Sequence, residues 1–169
     1  VLLRKPKTGD EEPFLRALAL AGSEPFVRYY RPDLSFAAYL QILDEAEHGR
    51  GLPERHVPST LLFGFVAGEI VGRLMLRHVL NDFLFRVGGH IGYVVVPPHR
   101  GHGYATRMLK QGLDHARARS LPKVLLTCDP DNIASRRVIE KCGGELEDTY
   151  VGPEAPAGKR RYWIALPTP

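Results

Sequence analysis

The sequence predicts a mixed α/β domain, and three observations carry that prediction. Helix-like and strand-like hydrophobic periods alternate along the chain. A hairpin pattern occupies the middle, and a strand, a glycine turn and a helix then follow one another directly before a further strand and helix. The 169 residues make one ordinary domain, and 44% of them are apolar, enough for a packed core, so a single domain over residues 1–169 is expected.

Val1 to Lys5 has the character of an edge strand, followed by the turn-like Lys7-Thr8-Gly9-Asp10. From Pro13 to about Ala21 the spacing of Phe14, Leu15, Leu18 and Ala21 suits an amphipathic helix with proline in its first turn. After the Tyr- and Arg-rich stretch Phe26 to Pro32, Asp33 or Ser35 can cap a second helix through about Glu47, whose inner side carries Phe36, Tyr39, Leu40 and Leu43. Gly49 and Gly51 end it, and Gly51 to Ser59 is a loop. Thr60 to Val66 and Ile70 to Arg77 then read as strands joined by Ala67-Gly68-Glu69.

Leu80 to Val87 is mixed, a loop or a short strand extension. Gly89 to Val96 is a further strand, stopped where Pro97-Pro98 removes two amide donors. Gly103 to about Ser120 is a helix with Ala105, Met108, Leu109, Leu113 and Ala116 on one face. Lys123 to Cys128 is an apolar strand, and Asn132 to Cys142 is a helix closed by Gly143-Gly144. Glu145 to Tyr150 and Arg161 to Leu166 are expected as final antiparallel strands around the Gly/Pro/Ala-rich connection Gly152 to Gly158.

Composition narrows the function classes. Twenty-three basic against nineteen acidic side chains give a formal charge of +4, mild and interspersed, which suits an anionic ligand but not the dense basic stripe of a nucleic-acid reader. No apolar stretch is long enough to cross a bilayer, and Val1 to Asp10 lacks the basic-then-apolar pattern of a secretory signal, so no membrane partner and a cytoplasmic setting are expected. Cys128 and Cys142 are read as reduced, buried thiols. No His-Glu-x-x-His and no cysteine pair at ligand spacing is present, and Asp129 and Asp131 suit a loop and a helix cap, so no metal is expected.

Arg100-Gly101-His102-Gly103-Tyr104-Ala105 follows a strand and opens a helix. Gly101 and Gly103 allow a tight turn and close approach by a ligand. The first helical amides have no partner within the helix and can cradle a pyrophosphate at its positive end, with Arg100 adding charge. The turn lacks the Gly-Lys-Ser/Thr ending of a nucleoside-triphosphate loop and the full dinucleotide pattern Gly-x-Gly-x-x-Gly.

The segment Val94 to Ala105 resembles motif A of the GNAT superfamily of N-acetyltransferases, whose core is Arg/Gln-x-x-Gly-x-Gly/Ala; Arg100, Gly103 and Ala105 fill its defining positions. Asn132-Ile133-Ala134-Ser135, followed by Val138 to Gly143, is similar to the family's second cofactor-side segment, Asn-x-x-Ser. The resemblance follows the element order from about Leu61 to Leu166 and is sharp in these two motifs. It implies an acyl-CoA N-acyltransferase fold, with a central, mostly antiparallel sheet whose middle strands splay and which helices flank. It also implies acetyl-CoA as co-substrate, with pantetheine pairing with main chain at Val94 and Val96 and an amide from Val94, Val95 or Val96 polarising the carbonyl. Pyrophosphate would rest on Arg100, Gly101, His102, Gly103, Tyr104 and Ala105, and Asn132 and Ser135 would stand near the pantetheine. Asn132 is equally a natural helix cap, and Ser135 can bond within its own first turn.

The activity implied is acetyl transfer to a primary amine of a small molecule or peptide by direct attack. Many relatives protonate the departing thiolate with a tyrosine in the helix after the asparagine; the matching position here is Ile139. The open candidates for the proton donor are Tyr150, Tyr93 or water, and His90 is the candidate base because imidazole titrates near neutrality. Tyr29 and Tyr30 occupy the part of the chain that shapes the acceptor pocket in such families. Ile139 also keeps open a non-catalytic CoA-binding regulatory or scaffold module, and a homodimer is left open.

Overall fold

The computed structural model describes residues 1–167. Its strands are β1 (Leu2–Arg4), β2 (Ser59–Val66), β3 (Glu69–Arg77), β4 (Ile91–Val95), β5 (Lys123–Cys128), β6 (Glu145–Gly152) and β7 (Ala155–Ala165). Its helices are α1 (Glu11–Ala21), α2 (Phe36–Glu47), α3 (Tyr104–Ala118) and α4 (Ile133–Lys141). The strand, turn and helix order is the one the sequence predicts.

Local chemistry accounts for the element ends. Ser35, rather than Asp33, caps α2: its hydroxyl accepts the Ala38 N–H at 3.2 Å. The β2–β3 hairpin turns on Ala67 (φ 49°) and Gly68 (φ 85°), both in the left-handed region that a two-residue hairpin requires. The undecided stretch before β4 is not a strand; Leu84–Gly88 winds into a π-helical turn whose start is held by Asn81 Oδ1 accepting the Leu84 N–H at 2.9 Å. The final hairpin corrects the sequence reading. Its strands run to Gly152 and from Ala155, so the expected Gly152 to Gly158 connection shrinks to Pro153-Glu154. Ala155, Pro156, Ala157 and Gly158 carry no alternating pattern, and register shifts near Leu146 and Tyr150 hide the pairing from a period count.

Two antiparallel sheets result, ordered β1-β2-β3-β4 and β5-β7-β6. They meet at His90, whose N–H donates to the Leu125 carbonyl at 2.7 Å while its Nδ1 accepts the Leu125 N–H at 2.9 Å. Beyond that junction β4 and β5 form no ladder, which is the splay that the fold class calls for. The first sheet is covered on both faces. Leu74, Leu76 and Ile91 pack with Met108, Leu109 and Leu113 of α3 and with Val124, Leu126 and Tyr162 of the second sheet. Leu61, Phe63, Met75 and Val96 pack with Phe14, Phe36 and Tyr39 of α1 and α2. Both cysteines are free thiols; Cys128 is buried and Cys142 half-buried. Among the described residues, no helix is long and apolar enough to cross a membrane and no cluster of His, Cys, Asp or Glu is placed to hold a metal ion.

Candidate active site

Where β4 and β5 part, a cavity of about 600 Å³ opens between β4, the turn at residues 100–103, the start of α3 and the start of α4. Gly101 (φ 81°) and Gly103 (φ 73°) shape the turn, and a β-carbon on either would meet no atom within 4 Å. Left-handed backbone, rather than crowding, is what demands glycine here, and the space in front of the turn is open. The first α3 hydrogen bond runs from the Arg107 N–H to the Gly103 carbonyl at 3.2 Å. The amides of Tyr104, Ala105 and Thr106 therefore precede the helical ladder and are left for an anion. Arg100 donates through Nε to the Val95 carbonyl at 3.0 Å and pairs with Glu24, which also lines the cavity. His102 turns aside: its ring stacks on Tyr104 and its Nδ1 lies 3.2 Å from the His99 carbonyl.

The register of β4 corrects one expectation. The Arg77 N–H donates to the His90 carbonyl at 2.7 Å, and the Val96 N–H donates to the Val71 carbonyl at 3.0 Å. Alternation between these anchors turns the peptide groups of Gly92 and Val94 toward β3 and those of Tyr93 and Val95 toward the gap. Val94 thus spends its main-chain groups on β3 and Val96 its N–H, while the carbonyl of the fully buried Val96 accepts the His99 N–H at 2.9 Å. The groups facing the cavity are those of Tyr93 and Val95, one residue out of phase with the sequence expectation, because a period-2 pattern fixes side-chain faces and not which neighbour takes the amides.

From α4, Asn132 and Ser135 both line the cavity. Asn132 Oδ1 caps the helix by accepting the Ser135 N–H at 2.9 Å, so its side-chain NH₂ takes no part in the cap. The Tyr93 hydroxyl reaches across from β4 to Ser135 Oγ at 2.9 Å, and burial pushes its pKa up to about 12. Ile139 is fully buried in the core. A phenol therefore does stand in this cavity, supplied by β4 and not by α4.

The other sequence candidates lie elsewhere. His90 is the inter-sheet junction described above, packed beside Trp163, and burial followed by the charge of Arg77 pushes its pKa down to about 4. Its Nδ1 lone pair is already bonded to Leu125, so the structure does not present it as an accessible base. Tyr150 is also absent from the cavity. Its hydroxyl donates to Glu154 at 2.7 Å, and Glu154 binds Arg86 at 3.0 Å.

A second cavity, about 370 Å³, lies at the other end of β4 and is walled by Arg28, Tyr29, Glu54, Arg55, His56, Arg77 and Gly88 among others. Tyr29 reaches it, with its hydroxyl 2.9 Å from His56 Nδ1, in a backbone conformation of φ 64°. Tyr30 instead packs edge-on against Phe14 and Tyr39 and borders a separate depression with Arg31 and Arg50. Sequence reading missed His56 and Arg77. His56 sits in a proline-flanked loop with no period, while Arg77 looked like the polar end of a strand. Burial and then the charges of Arg28 and Arg77 lower the His56 pKa, so its imidazole is neutral at neutral pH.

A splayed sheet pair, with an anion-binding strand–turn–helix at the point of splay, defines an acyl-CoA N-acyltransferase fold. The model of the acetyltransferase (GNAT) domain matches residues 1–145, and the chain belongs to this family. Mycobacterium smegmatis RimJ in complex with CoA-disulfide is 25% identical, with a TM-score of 0.66 over 96% of this chain and 80% of that one. A GNAT-family acetyltransferase from Streptococcus pneumoniae (15% identity, TM-score 0.65, 98% and 99% coverage) shares the fold. So does yncA from Salmonella typhimurium with its cofactor acetyl-CoA (14%, 0.62, 98% and 94%). No match was found among curated proteins.

Proposed function

We propose that the protein transfers the acetyl group of acetyl-CoA to a primary amine of a small molecule or peptide by direct attack. The observation that carries this reading is the cavity at the β4–β5 splay, where free helix-start amides, Arg100 and strand-edge peptide groups line one continuous wall. The structures of RimJ with CoA-disulfide and yncA with acetyl-CoA support the coenzyme assignment.

Acetyl-CoA supplies an already activated acyl carbon. The amides of Tyr104, Ala105 and Thr106 with Arg100 hold its pyrophosphate, and the Asn132 NH₂ and the strand-edge groups of Tyr93 hold the pantetheine. The Val95 N–H polarises the thioester oxygen. A neutral amine attacks the carbonyl carbon; the C–N bond forms and the C–S bond breaks. One amine proton leaves to water, and the sulfur takes a proton from Tyr93, whose raised pKa keeps it protonated until needed. Thiol release measured against an amine and peptide panel tests the proposal. Turnover supports it, whereas CoA binding without turnover would favour the regulatory module that the buried Ile139 keeps in view.

A further inference from the structure

The second cavity carries information about the acceptor. Arg73 and Arg77 occupy one face of β3, and among the described residues neither has a carboxylate within ion-pair distance. Arg73 donates to the carbonyls of Phe26 at 2.7 Å and Pro25 at 3.2 Å; Arg77 donates through Nη1 to those of Gly88 at 3.0 Å and Gly89 at 2.9 Å. Nε and Nη2 of Arg77 have no protein partner among the described residues. Exposed Arg28 lines the same cavity, with neither hydrogen bond nor ion pair among the described residues. The acid in the wall, Glu54, lies 4.0 Å from Arg55, and both are on the outer surface.

Backbone dipoles solvate a cation less well than water and cannot cancel its charge, so grouped guanidinium groups without carboxylates leave an uncompensated positive potential. Burial first, and then the charge of Arg28, lower the pKa of both Arg73 and Arg77 to about 10, which leaves both charged at neutral pH. Position ties the charge to the reaction. A β-carbon on Gly92 would lie 3.9 Å from Arg77 Nη1, so this guanidinium reaches β4 on the face opposite the side chains of Tyr93 and Val95, which wall the donor cavity.

We infer that the acceptor is an amine that carries an anionic group, carboxylate or phosphate, which Arg28 and Arg77 hold while its amine reaches the β4–β5 gap. The inference rests on the transferase reading above and narrows it. A polycationic amine is disfavoured by the same field.

The test uses matched acceptors that differ in the anion: β-alanine with β-alaninamide, O-phosphoethanolamine with ethanolamine, and Ser-Asp-Ala-amide with Ser-Asn-Ala-amide, with spermidine as the cationic contrast. Thiol release should give at least one anionic member about tenfold higher kcat/KM than its neutral partner. The favoured pair identifies carboxylate or phosphate. Arg28→Ala should cut that ratio about fivefold or more, and Arg28→Lys should recover most of it. Equal or better use of every neutral partner, a preference for spermidine, or a ratio indifferent to Arg28→Ala overturns the inference while leaving the transferase reading standing. If no amine is turned over, calorimetry with β-alanine and O-phosphoethanolamine decides: binding lost in Arg28→Ala supports the anion site, and no binding overturns it.

Discussion

Gly103 offers the sharpest test of the donor site, because its two acid and amide replacements share a shape and differ in charge. At φ 73° any side chain pays the left-handed penalty, about 1 kcal/mol for the most tolerant residues, Asn and Asp, and this lowers stability equally in both variants. A β-carbon there meets nothing within 4 Å, so neither variant creates a clash within the protein. The Asp carboxylate would stand about 5 Å from a doubly charged pyrophosphate seated on the α3 amides. Repulsion at that range is about 1.7 kcal/mol at ε ≈ 80 and about 3.3 kcal/mol at ε ≈ 40, or roughly 20- to 300-fold in affinity. Calorimetry with acetyl-CoA should therefore find Gly103→Asp binding about 20-fold or more weaker than Gly103→Asn, with a gap that narrows as salt rises. Equal affinities for the two variants, with equal melting temperatures, would refute the placement of the pyrophosphate.

Tyr93→Phe should lower kcat about tenfold or more while the acetyl-CoA Kd moves less than about threefold, since a donor of the leaving-group proton acts on the chemical step; an unchanged kcat removes Tyr93 from the reaction. Gly89→Ala should cost about 2–4 kcal/mol in urea unfolding, because φ is 66° and the new β-carbon would lie 2.5 Å from the Leu125 carbonyl at the sheet junction. Wild-type stability in that variant would mean that the junction yields freely. Burial first, then neighbouring cations (Arg77 at His90, Arg119 at His78), hold both imidazoles near pKa 4 in the folded state, below the ordinary 6.5. The unfolded chain then takes up protons first, so their contribution to stability is full above about pH 6.5 and is lost as pH falls toward 4. Urea midpoints should drop across that window, and a flat profile between pH 6.5 and 4.5 would contradict the burial of these rings.

The sequence made the glycine turn and the α4 cap legible because their demands fall on residue types. Positive φ selects Gly101 and Gly103, and a helix start with an asparagine cap selects Asn132. Each leaves a mark in a one-dimensional pattern. The assignments that shifted depend on direction. Whether Val94 or Val95 offers its amide follows from which side of β4 is paired, and alternation of side chains is the same for both cases. His90 looked like a base from its place before the turn, yet Leu125, thirty-five residues away, takes its ring nitrogen. The second cavity was least legible of all. Arg28, His56 and Arg77 come from a loop, another loop and a strand end, and their convergence is a product of tertiary packing with no local signature.

One strand separates the two halves of the proposed reaction. On β4 the side chains of Tyr93 and Val95 face α3 and α4, and the peptide groups of the same residues face the gap toward β5, so the donor takes both from odd positions. The even positions, Gly92 and Val94, turn toward α1 and α2, and their peptide groups are consumed by β3. An acceptor on that side therefore finds no main-chain partner along β4 and must be recognised by side chains that lie on the strand. Arg77 lies against the strand at Gly92, its Nη1 3.9 Å from where a β-carbon would stand. Donor recognition by backbone and acceptor recognition by guanidinium are then two consequences of one pleat. The donor half can stay fixed with the fold, while the acceptor half changes with the residues placed on β3 and on the Tyr29 and His56 loops.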